Sequence, residues 1–112
     1  MKIIKEIITL DELKKMSVMF GNMVKAVVDI ERELIAVDAE LHSDLEALLL
    51  DNGSKQKDLW GINLYPEMQG DEFIEFDSMI NMRPSEGNMI RGVDDKEKAG
   101  KIIEIVSKRI KK

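Results

Sequence analysis

Residues 23–37, MVKAVVDIERELIAV, decide the fold of this 112-residue chain. In residues 23–30, Val24, Ala26 and Val28 alternate with Lys25 and Val27, which is the period of a β-strand. The charged run 31–33 turns the chain, and residues 34–37 read as the return strand. The stretch therefore predicts a β-hairpin.

Helical patterns lie on both sides of this hairpin. Thr9-Leu10-Asp11-Glu12 is a capping box that opens a helix ending at Gly21. A second helix is predicted over residues 39–51, with Asp38 as its N-cap and a buried stripe of Leu41, Leu45, Leu48 and Leu49. A third begins at Asp94.

Further strands are predicted over residues 2–8, 59–65 and 73–82. The fold class is therefore α+β, with an element order of about βαββαββα in one domain covering residues 1–112. Short connections between neighbouring strands favour an antiparallel or mixed twisted sheet with the helices packed on one face.

The composition excludes several classes of protein. Hydrophobic residues make up 44% of the chain and charged residues 35%, which suits a single folded core rather than a disordered chain. The net charge of −5 disfavours nucleic-acid binding. The absence of cysteine removes disulfides, thiolate nucleophiles and Cys-type metal sites.

The N-terminal residues carry charge before any long apolar run, and no apolar stretch approaches the ~20 residues of a membrane helix. We therefore expect a cytoplasmic protein without a membrane partner. Walker, dinucleotide, serine-elbow and paired-histidine zinc motifs are missing, so no cofactor is predicted.

The most unusual feature is the polar segment 81–91. Two of the four arginines, Arg83 and Arg91, fall here together with Asn81 and Asn88. A guanidinium matches carboxylate or phosphate, and glycines let backbone amides approach a ligand. The segment therefore suggests an anion-binding loop. The alternative is a structural clasp, in which Arg83 and Arg91 pair with nearby acidic residues such as Asp77.

A second candidate is His42, the only histidine. In the predicted helix, Asp38, His42 and Glu46 share one face, a pattern that suits a divalent metal or an acid–base group. Helix-capping and solvated acidic residues explain the carboxylates equally well, because they stabilise a helix N-terminus. We therefore predict no metal site and keep His42 as an acid–base candidate.

A third candidate is the strand 59–65. Asn63 and Tyr65 share a face with Gly61, and Gly61 within a strand predicts a bulge or the close approach of another group. If this face also carries Glu75 and Asp77, the sheet presents a polar surface. The candidate ligand-binding residues are therefore Asn63, Asp77, Asn81, Arg83, Asn88 and Arg91.

Four strings resemble a family of short prokaryotic proteins known only as a domain of unknown function. They are residues 36–42 (AVDAELH), 53–56 (GSKQ), 59–66 (LWGINLYP) and 75–84 (EFDSMINMRP). The resemblance covers nearly the whole chain and implies one domain. It implies no activity, cofactor or catalytic residue.

The leading functional hypothesis is a small non-enzymatic binding or regulatory protein that self-associates as a homodimer. The alternative is a small enzyme acting on an anionic or phosphorylated substrate. In that hypothesis Arg83 and Arg91 bind the charge, and His42 or Asp77 transfers a proton.

Overall fold

The hairpin predicted from residues 23–37 lies within a five-stranded antiparallel sheet. The computed structural model describes residues 1–111. The strands are β1 (Lys2–Ile4), β2 (Ile8–Thr9), β3 (Val24–Asp29), β4 (Leu34–Val37), β5 (Leu59–Leu64), β6 (Ile74–Glu75) and β7 (Ile110–Lys111). The helices are α1 (Leu10–Ser17), α2 (His42–Asp51) and α3 (Lys96–Arg109), and short 3-10 helices include Met79–Asn81 and Pro84–Glu86.

The strand order is β1-β4-β3-β5-β6, and every neighbouring pair is antiparallel. Strands β2 and β7 form a separate parallel pair that the sequence pattern did not predict. The predicted fold class, a single α+β domain with an antiparallel sheet, is confirmed. None of the helices within residues 1–111 is long and apolar enough to cross a membrane.

The helices cover both faces of the sheet, and the prediction that they pack on one face is wrong. Ala26 and Val28 of β3 pack in the larger core with residues of α1 and α3, whereas Val27 packs with Leu45 and Leu49 of α2. All four residues of β4 are buried. Because both faces of the central strands are apolar, each face needs its own layer of helix.

Helix α2 begins three residues later than predicted. Its N-cap is Leu41, which makes no side-chain capping bond and is 57% exposed rather than buried. Asp38, the predicted cap, lies before the helix with a φ of 73°. By contrast, the Thr9 cap of α1 is confirmed, since its side chain accepts from the Glu12 amide.

The predicted fourth strand over residues 73–82 is much shorter in the structure. Only Ile74 and Glu75 pair with β5. Farther along, the Ser78 hydroxyl accepts from the Ile80 amide and opens the 3-10 helix Met79–Asn81. A local side-chain bond to the backbone competes with strand pairing, and here it turns the chain away from the ladder.

Gly61 allows that turn to lie against β5. A Cβ atom built on Gly61 would lie 2.6 Å from both Cβ and Oγ of Ser78. The predicted close approach of another group to this glycine is therefore confirmed, and the group is the first residue of the turn.

Replacing Gly61 with alanine is expected to lower the free energy of unfolding by about 1–3 kcal/mol, because the new Cβ overpacks against Ser78. Urea unfolding followed by the fluorescence of the buried Trp60 measures this. Gly100→Ala is the matched control: its added Cβ meets nothing within 4 Å and should raise stability by up to about 1 kcal/mol within α3. Equal stability of the Gly61→Ala protein and the wild type would contradict the close approach.

Candidate functional site

The six predicted ligand-binding residues divide between two places. Asn81, Arg83 and Asn88 are buried and bound to backbone groups, and we call these three residues the clasp. Asn63, Asp77 and Arg91 line a cavity together with His42. The structure therefore does not bring all six together.

Asn81 pairs with the part of the β5 edge that β6 does not cover. Its Oδ1 accepts from the Gly61 amide at 2.8 Å, and its Nδ2 donates to the Gly61 carbonyl at 2.9 Å. The side chain is fully buried. Strand β6 pairs only with Asn63 and Leu64, so the Asn81 amide occupies the place that a longer β6 would fill.

Asn88 fixes the course of the segment around Asn81. Its Nδ2 lies 2.7 Å from the Asn81 carbonyl, 3.0 Å from that of Ile90 and 2.9 Å from that of Gly92. Its Oδ1 accepts from the Asp94 amide at 2.9 Å, just before α3. One buried amide thus joins the turn, the loop and the approach to the last helix.

Arg83 binds the start of β5. Its two terminal nitrogens donate to the carbonyls of Gln56 at 2.6 Å and Leu59 at 2.8 Å. The guanidinium lies 3.9 Å from the centre of the Trp60 ring, a cation–π distance. Burial lowers the pKa of Arg83, but a guanidinium stays charged in proteins. Its donors face the protein itself, which is a structural role.

The cavity lies at the N-terminal end of α2, between that helix, the sheet and the turn after β6. Its volume is about 440 Å³, within the range of small-ligand sites. We call it the α2 cleft. It is lined by Met23, Lys25, Leu41, His42, Ser43, Asn63, Glu75, Asp77, Ser78, Met79, Ile80 and Arg91.

Asn63 forms the buried floor of the α2 cleft. Its Nδ2 donates to Glu75 Oε1 at 2.8 Å and to the Asp77 carbonyl at 3.3 Å. Its Oδ1 is buried and has no hydrogen-bond partner within residues 1–111. Trp60 Nε1 and Arg83 Nε are also buried without a hydrogen-bond partner within residues 1–111, but neither of those residues lines the cleft.

Glu75 and Asp77 supply the acidic side of the cleft. Tyr65 donates its hydroxyl to Glu75 Oε1 at 2.9 Å, and this bond is the main reason that the pKa of Tyr65 is raised. Arg91 Nε donates to Asp77 Oδ1 at 2.6 Å, with both side chains about half exposed. The predicted pairing of Arg91 with Asp77 is therefore present at the rim of the cleft.

His42, the first residue of α2, is held by the sheet. Its Nε2 lies 2.8 Å from the Ile62 carbonyl. A carbonyl only accepts, so Nε2 carries the proton and the neutral ring keeps its lone pair on Nδ1. Burial is the main cause that lowers the pKa of His42, and the positive charge of Lys25 adds to it. Three smaller effects raise this pKa: the hydrogen bond to the Ile62 carbonyl, the negative charge of Asp77 and the adjacent Asn63 side chain.

The three residues considered for a metal do not form a site. Asp38 lies outside α2 in a left-handed conformation, so it does not share a helix face with His42 and Glu46. Within the part of the chain that the structure describes, no group of three or more histidine, aspartate or glutamate side chains is placed to hold a metal ion.

A larger groove of about 720 Å³ lies on the other face, between α1, α3 and the loop after β5. Its walls include the apolar residues Leu10, Phe73 and Ile103, and its polar side chains are surface groups such as Lys14 and Glu67, which form an ion pair at 4.0 Å. It has no buried polar side chain among the residues that line it. The chemistry therefore favours the smaller α2 cleft.

Lys25, Ser43 and Glu75 line the cleft but were not among the predicted ligand-binding residues. The positions of Lys25 and Glu75 follow from strand pairing, because Lys25 lies opposite Asn63 and Asn63 lies opposite Glu75. The alternation of residues 23–30 placed Lys25 on one strand face. The strand order that aligns it with Asn63 was the missing information.

Comparison with family models gave a match over residues 2–109 to a family described as "Protein of unknown function (DUF5674)". The chain belongs to this family. A comparison with curated proteins gave no significant match, and a comparison with solved structures gave none either.

The two arginines of the polar segment are expected to respond differently to the same substitution. Arg83→Ala should cost about 2–4 kcal/mol, because it leaves the Gln56 and Leu59 carbonyls without their donor and removes the contact with Trp60. Arg91→Ala should cost less than about 1 kcal/mol, since its ion pair is exposed. Urea unfolding measures both. Similar losses in the two variants would contradict the division between clasp and cleft.

His42 is expected to titrate below its ordinary pKa of 6.5, and an NMR pH titration of its imidazole would measure this. The unfolded chain then binds more protons than the folded chain between the two pKa values. Stability should therefore fall as pH decreases from about 6.5 and level off below the folded pKa. His42→Gln should remove this part of the acid sensitivity. A folded pKa above 6.5 would refute the assignment.

Proposed function

We propose that this protein is a non-enzymatic binding protein whose small polar ligand lies in the α2 cleft. The observation that carries the proposal is the convergence of His42, Asn63 and the Asp77–Arg91 pair on one cavity of about 440 Å³. A concave site with a few fixed polar groups is the usual form of a small-molecule site.

The unpaired Oδ1 of Asn63 supports a ligand in the α2 cleft. A buried polar atom without a partner costs free energy, and such atoms are uncommon in folded proteins. Because Nδ2 of Asn63 is directed toward β6, its Oδ1 is directed away from that strand. A ligand whose donor reaches this buried oxygen when the side chains above it move would remove the cost.

The clasp supports a binding role because it makes the rim of the cleft rigid. The Arg91 carbonyl accepts from the Ser78 amide at 3.0 Å and from Asn81 Nδ2 at 2.8 Å. The backbone that carries the Arg91 side chain is therefore fixed to the buried turn. A preorganised site loses less entropy when its ligand binds.

A second candidate, a small proton-transfer enzyme, is favoured by one observation: His42 and Asp77 line the same cleft. A neutral imidazole with a free Nδ1 can act as a general base near pH 7. In this candidate Arg91 alone recognises an anionic substrate, because the donors of Arg83 face the backbone of β5 and its approach. The homodimer expected from the sequence stays a prediction.

Binding is tested by NMR titration of the labelled protein with a panel of small carboxylates, phosphates, amines and amino acids. At least one compound is expected to shift the resonances of His42, Ser43 and Asn63 and to raise the melting temperature with concentration. Arg91→Ala should change that binding by about tenfold, with weaker binding if the ligand's anionic group contacts Arg91 and tighter binding if its ammonium contacts Asp77, whereas Lys57→Ala, outside the α2 cleft, should not change it.

Two results would contradict the binding proposal. One is a complete lack of response across the panel, and the other is binding that maps only to the groove beside α1 and α3. Conversion of a bound compound, with turnover lost in His42→Gln while binding persists, would instead establish the enzymatic candidate.

A further inference from the structure

We infer that the ligand of the α2 cleft is a small zwitterion, a molecule of amino-acid or dipeptide type with one ammonium and one carboxylate group. This inference rests on the proposed binding function and adds the chemical class of the ligand. It follows from how the cleft arranges charge across the sheet.

Three cleft residues form a row across neighbouring strands. Lys25 of β3 lies opposite Asn63 of β5, and Asn63 lies opposite Glu75 of β6. Adjacent strands are about 4.8 Å apart, so the backbone positions of Lys25 and Glu75 are separated by about 10 Å. The row therefore has a cation at one end, an amide in the middle and a carboxylate at the other end.

The positive end of the row has groups ready for a carboxylate. Lys25 makes no ion pair within residues 1–111. The N-terminus of α2 lies at the same cleft, and its cap residue Leu41 offers no side-chain acceptor to the first amides. The partial positive charge of the helix end and the ammonium of Lys25 both favour a bound anion.

The negative end has groups ready for an ammonium. Oε1 of Glu75 is held by Asn63 and Tyr65, which fixes the carboxylate at the edge of the cleft. Arg91 contacts Oδ1 of Asp77 through one nitrogen. A protonated amine in the cleft would lie near two carboxylates.

The total charge of the cleft also favours a zwitterion. Lys25 and Arg91 carry two positive charges, Glu75 and Asp77 carry two negative charges, and His42 is neutral near pH 7. A ligand without net charge preserves this balance. A phosphate dianion would be repelled by Glu75 and Asp77, and a simple amine would leave Lys25 without a counterion.

The middle of the cleft suits the part of the ligand between its charges. Oδ1 of Asn63 is buried beneath the cleft without a hydrogen-bond partner within residues 1–111, and an ammonium or a peptide N–H that reaches it when the covering side chains move would donate to it. Met79 and Ile80 form an apolar wall beside it. Peptide-like or aliphatic groups satisfy both surfaces.

Isothermal titration tests this with glycine, β-alanine, γ-aminobutyrate and glycylglycine, whose charges are progressively farther apart. Their counterparts with one charge blocked are N-acetylglycine and glycinamide, and inorganic phosphate is a further probe. At least one zwitterion is expected to bind about tenfold or more tightly than the blocked compounds and phosphate, with NMR shifts at Asn63.

Two variants test which end of the cleft binds which charge. Lys25→Met should weaken zwitterion binding about tenfold without changing the weaker binding of glycinamide. Glu75→Gln keeps the acceptor for Asn63 and Tyr65, and should weaken zwitterion binding without changing that of N-acetylglycine. Lys57→Met should change neither.

The outcomes separate this inference from the binding proposal. If phosphate or a compound with a single charge binds the cleft more tightly than every zwitterion, the zwitterion inference is overturned and the binding function stands. If no probe in either panel binds the cleft, both are overturned. Zwitterion binding that Lys25→Met and Glu75→Gln leave unchanged also overturns the charge assignment.

Discussion

The pairing of the Asn81 side chain with the backbone of Gly61 is the interaction on which this end of the molecule depends. Strand β5 has β3 on one side along its whole length but has β6 on the other side for only two residues. The remaining edge would expose unpaired amide and carbonyl groups, which are costly when buried and prone to pair with other chains when open. Asn81 satisfies both groups of Gly61.

This arrangement places several demands on the residues around it. The turn that carries Asn81 must approach β5 closely, and only a residue without Cβ leaves room for Ser78. The Asn81 carbonyl is bound by Asn88, and the Leu59 carbonyl nearby is bound by Arg83. The clasp is therefore a substitute for a full edge strand, built from side chains. Its connection to Arg91 through the Arg91 carbonyl also fixes one rim of the α2 cleft.

Sequence patterns predicted the central strands closely. The short apolar runs within residues 23–37 and 59–65 located β3, β4 and β5, although these strands are buried on both faces rather than on alternate residues. The same reasoning failed for residues 73–82, where alternation continues but Ser78 and Asn81 bind backbone instead. It also missed the start of α2, because Asp38 has the composition of a cap but not its conformation. The Asn81 side chain depends on a partner twenty residues away, Gly61, which a local pattern does not contain.

The candidate site was predictable only in part for the same reason. A concentration of arginine and asparagine marks a segment rich in hydrogen-bonding groups, but it does not show whether those groups face the protein or a ligand. Arg83 and Arg91 lie close together in sequence, yet the first binds two backbone carbonyls and the second lies half exposed on Asp77. What distinguishes them is whether each donor already has a partner. By that criterion the groups left for a ligand at the cleft are the ammonium of Lys25, which makes no ion pair within residues 1–111, and the buried Oδ1 of Asn63, which has no hydrogen-bond partner there.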